Sequence, residues 1–203
     1  MLDPRVRIDE WVLPSHTQAA RVAKGSLDLA IAWLEEADIE RHNLAAHLLR
    51  YERLEAVMPR AHRATRQESV PAADITVLVD VDEASWRSWN RYASAFAKAN
   101  HASVTNIHDG GITGPAFFDH VVRLRRPVLD SPKRHAAPMP PTLTRRPVRS
   151  PVPLWTWALL HRADDTRPMV ARATRTLIDH ASALGWRTPP SEPYWPPASE
   201  KRA

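Results

Sequence analysis

The chain has 203 residues, 43% hydrophobic and 25% charged, which is long and apolar enough to bury a core. It carries a net charge of +5 and no cysteine, so disulfides, thiol nucleophiles and cysteine metal sites are excluded. No run approaches the roughly 18 apolar residues of a membrane span, and MLDPRVRIDE is charged where a signal peptide is apolar, so a cytoplasmic location is expected.

The elements alternate along the chain. RVRIDEWVLP (5–14) reads as a short strand ended by Pro14, and Ser15 stands where an N-cap belongs, before the helix HTQAARVAK and its stop at Gly25. LDLAIAW (27–33) follows at once as an almost wholly apolar strand, the pattern of burial on both faces of a parallel sheet, with Asp28 at its entry. Together these segments spell a right-handed β-α-β unit. LLRYERLEAVMP suggests one long strand stopped by Pro59, and 60–74 is polar and loop-like. ITVLVDVD (75–82) is a strand, and 83–100 is an amphipathic helix with Trp86, Trp89, Ala93, Phe96 and Ala97 on its apolar side and Asp82 or Ser85 as its cap. ASVTNIH predicts a strand, DGG a turn and Pro115 the start of a helix. RPVLDSP, TLTRRPVR and PLWTWALLHR are three extended segments. A last helix follows, capped by Asp165 or Thr166, with Met169, Val170, Ala173, Leu177, Ile178, Ala181 and Leu184 along one side and Gly185 at its end. Residues 187–203 form a proline-rich stretch without a core pattern, the composition of a flexible tail.

The order of these pieces resembles the effector-sensing domain of LysR-type transcriptional regulators. In that family a "G-x-LD-x-AI" step is followed by a strand of the form "L-x-x-E-x-L-x-x-V-x-P-x-x-H". The matching positions are Gly25, Leu27, Asp28, Ala30 and Ile31, then Leu49, Glu52, Leu54, Val57, Pro59 and His62. The likeness continues more weakly to about residue 185. It implies an α/β, type II periplasmic-binding-protein-like fold, with two Rossmann-like lobes joined by two crossover strands and a small molecule held between them. Mapped here, lobe one is 1–58 plus 158–186 and lobe two is 60–152. The crossings fall at Val57 to Pro59 and around Leu154 to Leu160. An abrupt helix stop followed by a strand then brings the strand's C-terminal end to the ligand crevice.

Three departures from the family stand out. No counterpart of its winged helix-turn-helix precedes the domain, so this chain alone is not expected to bind operator DNA specifically. The domain's own first strand and helix also lack a counterpart, which leaves a slot in the first sheet for another strand to fill. VVRLRRPVLDSP replaces a glycine-rich helix-to-strand step. Family members pair their sensing domains, so a homodimer is expected, formed by the segment 5–24 against lobe two of a second copy.

Effector contacts in this fold lie at C-terminal strand ends and helix starts. That selects Ala32, Trp33, Asp82, Glu83, Ser85, Asn106, His108 and Thr113, with Trp155 or Trp157 at the second crossing. Trp86 and Trp89 read as helix core, and Asp82 and Ser85 equally as caps, while Trp33 and Trp155 could wall a pocket or fill a lobe. The implied partner is a small-molecule effector, with small carboxylates among the candidates; no cofactor, metal or membrane is implied. The densest basic group, from Arg123 to Arg149, is interleaved with prolines and reads as solvated surface rather than a phosphate-binding face.

Enzyme motifs are missing. The ten histidines form no H-E-x-x-H, His42 and His47 do not share a helix face, and five glycines make no phosphate loop. Asn106, His108 and Asp109 form an N-x-H-D cluster that could hold a base, yet no nucleophile motif accompanies it, so the chain is not expected to be an enzyme. Two alternatives to a sensing domain remain: a solute-binding protein of the same fold, disfavoured by the charged N-terminus, and a dimerisation module without a ligand.

Overall fold

The computed structural model describes residues 13–82, 84–132 and 138–196; the strand predicted over 5–14 and the expected contact Glu83 therefore lie outside the described residues, apart from Leu13 and Pro14. Among the described residues no helix is long and apolar enough to cross a membrane.

Helix α1 (Ser15–Ala23) buries Ala19 and Val22, and its cap position is Pro14 rather than Ser15, with no side-chain cap. Gly25, at φ +74°, donates to Val22 O while Ser26 N reaches Arg21 O, so the helix ends where the glycine predicted. Strand β1 (Ala30–Ala32) is shorter than 27–33. Its partner is antiparallel, and Ile31 is 44% exposed, which corrects the expectation of a doubly buried parallel strand. The reason is position: among the described residues β1 ends its sheet, and an antiparallel edge strand leaves one face to water.

After α2 (Glu36–Arg41) the long strand appears as predicted, in two parts, β2 (Leu44–Arg53) and β3 (Glu55–Pro59). They are parted at Leu54, whose amide donates to Pro153 O. Strands β4 (Val70–Pro71) and β5 (Thr76–Asp80) lead to helix α3 (Arg87–Asn100), entered through a 3-10 turn at Ala84–Trp86. Neither Asp82 nor Ser85 caps α3: Trp86 occupies the cap position and makes no side-chain bond there. Strand β6 (Ser103–Ile107) and helix α4 (Gly114–Leu124), with Pro115 in its first turn, complete a parallel β-α-β pair with β5. At the end of α4, Arg125 takes the left-handed conformation at φ +52° and donates to Val121 O.

Strands β7 (Val128–Leu129), β8 (Leu143–Arg149) and β9 (Val152–Arg162) follow. Helix α5 (Pro168–Ala183) has Arg167 at its cap position instead of Asp165 or Thr166. Its apolar side buries Val170 and Ala181, but Leu184 is 48% exposed. The proline-rich stretch is not without core contacts. Strand β10 (Tyr194–Trp195) pairs with the start of β9, and Trp195 packs edge-on against Tyr92 at 4.9 Å and Phe96 at 5.5 Å.

Two sheets result. In the first, β2 runs antiparallel along β9, with β1 and β10 pairing to opposite ends of β9. The second has the order β4-β8-β3-β7-β5-β6, with β5 parallel to both β6 and β7. The chain passes between sheets at Leu54 and again between β8 and β9, at 150–151. Residues 55–58 therefore pair with the second sheet, and the 154–160 segment with the first, a shift of the expected crossings. Each sheet has its own core: Ala19, Val22, Ala32, Leu34 and Leu160 in one, and Met58, Leu78, Phe96, Phe117 and Leu129 in the other.

Candidate functional site

The first turn of α3, the end of β7 and the middle of β9 converge between the sheets. Ser85, Trp86, Ser88 and Trp89 come from α3 and its entry, Ser131 and Pro132 from beyond β7, Trp155 and Trp157 from β9, and Ser15 from the start of α1. They enclose a cavity of about 20 Å³, room for one water.

Aromatic rings fill most of the space. Trp155 lies 5.2 Å from Trp33, 6.1 Å from Trp89, 6.0 Å from Trp157 and 5.1 Å from Tyr92 by ring centroids. Two indoles have partners: Trp89 Nε1 donates to Leu78 O at 2.9 Å, and Trp157 Nε1 donates to the buried Glu52 carboxylate at 2.6 Å. Burial raises the Tyr92 phenol well above its ordinary value and keeps it neutral. By contrast, Trp155 Nε1 and Ser131 Oγ are buried without a hydrogen-bond partner. An unmet buried group costs about 1–3 kcal/mol, so both are poised for an acceptor that enters the cavity.

The structure separates the residues selected from sequence. Ser85, Trp155 and Trp157 line the cavity, and Trp33 packs directly behind Trp155. Ala32 is fully buried in β1 opposite Ala158. Asp82, Asn106, His108 and Thr113 do not line it. They sit beyond the end of β5, at the end of β6 and at the cap of α4. There Asp82 and His108 form an exposed pair at 2.7 Å.

The N-x-H-D cluster divides in the same way. Asp109 turns to the buried His120, whose Nε2 is 3.0 Å away, and this bond lowers the Asp109 carboxyl below its usual value. Among the described residues no group of three or more histidine, aspartate or glutamate side chains could hold a metal. Part of the arginine-rich segment serves the fold: Arg145 pairs with Asp130 at 2.9 Å and Arg146 donates to Thr65 O at 3.0 Å.

Trp86, Trp89, Ser131 and Pro132 were missed as cavity residues. The dipeptide Ser131-Pro132 directly follows a strand, the same strand-end signal that selected the others, while helical periodicity assigned the two tryptophans to the core.

No protein-family model matches the chain, and no curated protein sequence matches it. Solved structures do. The effector-binding domain of a BenM variant aligns over 93% of this chain and 87% of its own, with 15% identity and a TM-score of 0.69. The reduced OxyR regulatory domain from Pseudomonas aeruginosa aligns over 83% and 78%, with 20% identity and a TM-score of 0.54. The effector-binding domain of QuiR in complex with shikimate aligns over 83% and 78%, with 14% identity and a TM-score of 0.59. With two sheets, paired crossings and a cavity between them, the chain has the periplasmic-binding-protein-like fold of the effector-binding domains of LysR-type regulators.

Proposed function

We propose that the chain is an effector-sensing domain of a LysR-type regulator, binding a small molecule between two lobes built on the two sheets. The observation that carries this reading is the pair of unpartnered buried groups, Trp155 Nε1 and Ser131 Oγ, facing one cavity beside the start of α3. That set suits a small carboxylate, whose oxygens accept from an indole and a hydroxyl. The ligand's preference for one lobe arrangement then biases a partner copy, a coupling typically worth about 1–3 kcal/mol. The role is regulatory rather than catalytic. Operator DNA is contacted by a helix-turn-helix domain and not by this fold, and the working unit is a homodimer.

A thermal-shift screen with aromatic acids and small carboxylates tests the reading. A saturable rise in Tm that is lost in Ser131→Ala supports it. The 20 Å³ cavity favours a second reading, a dimerisation module without a ligand. No shift across the panel, with a dimer by light scattering, selects that one.

A further inference from the structure

A pair of histidines on the first sheet is unrelated to the cavity. The register places His161 opposite Ala45 and His47 opposite Leu159, so the two imidazoles are diagonal neighbours across β2 and β9. Their Nε2 atoms are 3.0 Å apart, and the rings are nearly parallel, 15° between planes. Both are half-buried, open enough for a solute to reach. His161 Nδ1 lies 2.7 Å from Arg162 O and can only donate to it, so a neutral His161 carries its lone pair on Nε2. That backbone carbonyl orients the ring as an outer partner orients a metal-bound histidine.

We propose that His47 and His161 form a two-histidine site for a divalent transition-metal ion, with Cu²⁺ favoured. The two Nε2 atoms, 3.0 Å apart in a direct hydrogen bond, are close enough for one ion at metal-nitrogen distances of about 2.0–2.1 Å to reach both once the rings tilt, and among divalent ions an imidazole pair binds Cu²⁺ most tightly. Binding replaces the hydrogen bond between the rings: the His47 proton moves from Nε2 to Nδ1, both rings stay neutral, and water completes the coordination. Arg187 also lies near His47. The Arg187 charge opposes a cation, so its removal should tighten binding.

The test is titration of the tag-free chain with CuCl2, read by calorimetry and electron paramagnetic resonance. We expect one Cu²⁺ with two imidazole nitrogens in its hyperfine pattern, affinity lowered at least about tenfold in His47→Ala and in His161→Ala, and raised in Arg187→Ala. The spectrum of the unaltered chain stands even if a variant folds poorly. Copper bound equally well by the His47→Ala/His161→Ala double variant, or a spectrum without paired imidazole nitrogens, overturns the proposal.

Discussion

Trp89 of α3 and Trp155 of β9 lie with ring centroids 6.1 Å apart, so a helix packed on the second sheet meets a strand of the first through two indoles. Both are at least 96% buried, and Trp155 also touches Trp33, Tyr92 and Trp157. The contact joins the sheets beside the cavity.

Trp155→Ala should therefore destabilise the chain by about 3–5 kcal/mol, the range for removing a buried large aromatic. Trp155→Phe should lose less, because a ring remains against Tyr92 while the unpartnered indole N–H disappears. Chemical denaturation of both variants measures the difference. A Trp155→Ala loss below about 1 kcal/mol would contradict a joining role.

Trp195 makes the stretch after α5 part of the fold. A chain ending at residue 192 loses β10 and the edge-on contacts to Tyr92 and Phe96. Its expected loss is about 1–3 kcal/mol, and Trp195→Ala should reproduce most of it. Equal melting temperatures for full and shortened chains would show that the contact adds nothing.

Arg167 holds Asp165 through hydrogen bonds that include Nε–Oδ1 at 2.9 Å and Nη2–Oδ2 at 2.5 Å, and Asp28 at 2.7 Å, tying the start of α5 to the entry of β1. The bond from Arg167 is the main reason the Asp165 carboxyl lies far below its ordinary value. Asp109 is also lowered, chiefly by His120. A depressed carboxyl contributes stability above the unfolded pKa, about 3.9 for aspartate, and that stability is lost as pH falls through the folded value. Stability should therefore fall between about pH 5 and pH 2. Asp165→Asn should flatten that slope, as followed by urea midpoints at each pH.

Gly111 leaves no room for a side chain: a Cβ there would meet His120 Nε2 at 2.5 Å and Asp109 Oδ1 at 2.8 Å. Gly111→Ala should cost about 1–3 kcal/mol by forcing the His120 ring aside. It should also return the Asp109 carboxyl toward its ordinary value, which NMR titration detects. An unshifted Asp109 with unchanged stability would refute the close approach.

Much of the architecture is local in origin and so was legible in the residues. Gly25 and Gly185 mark helix stops that need a positive φ, Pro115 and Pro168 open helices, and the alternation through LLRYERLEAVMP becomes β2 and β3. Of the residues that strand ends and helix starts selected, Ser85, Trp155 and Trp157 line the cavity, and Asp82, Asn106, His108 and Thr113 do not. Those four share the strand-end and helix-start character of the others, but β6 is an outer strand, and strand order across a sheet is not encoded in any one segment.

Composition, turn chemistry and hydrophobic period by themselves determined an α/β chain in which Pro115 and Pro168 open helices and Gly25 and Gly185 end them. Tertiary structure alone decided that β1 runs antiparallel to β9, that Trp195 returns to cover Tyr92 and Phe96, and that His47 faces His161 across 114 residues of chain. Backbone preferences act over a few neighbouring residues, whereas pairing, enclosure of a cavity and the meeting of two imidazoles depend on which surfaces share one core when the chain closes on itself.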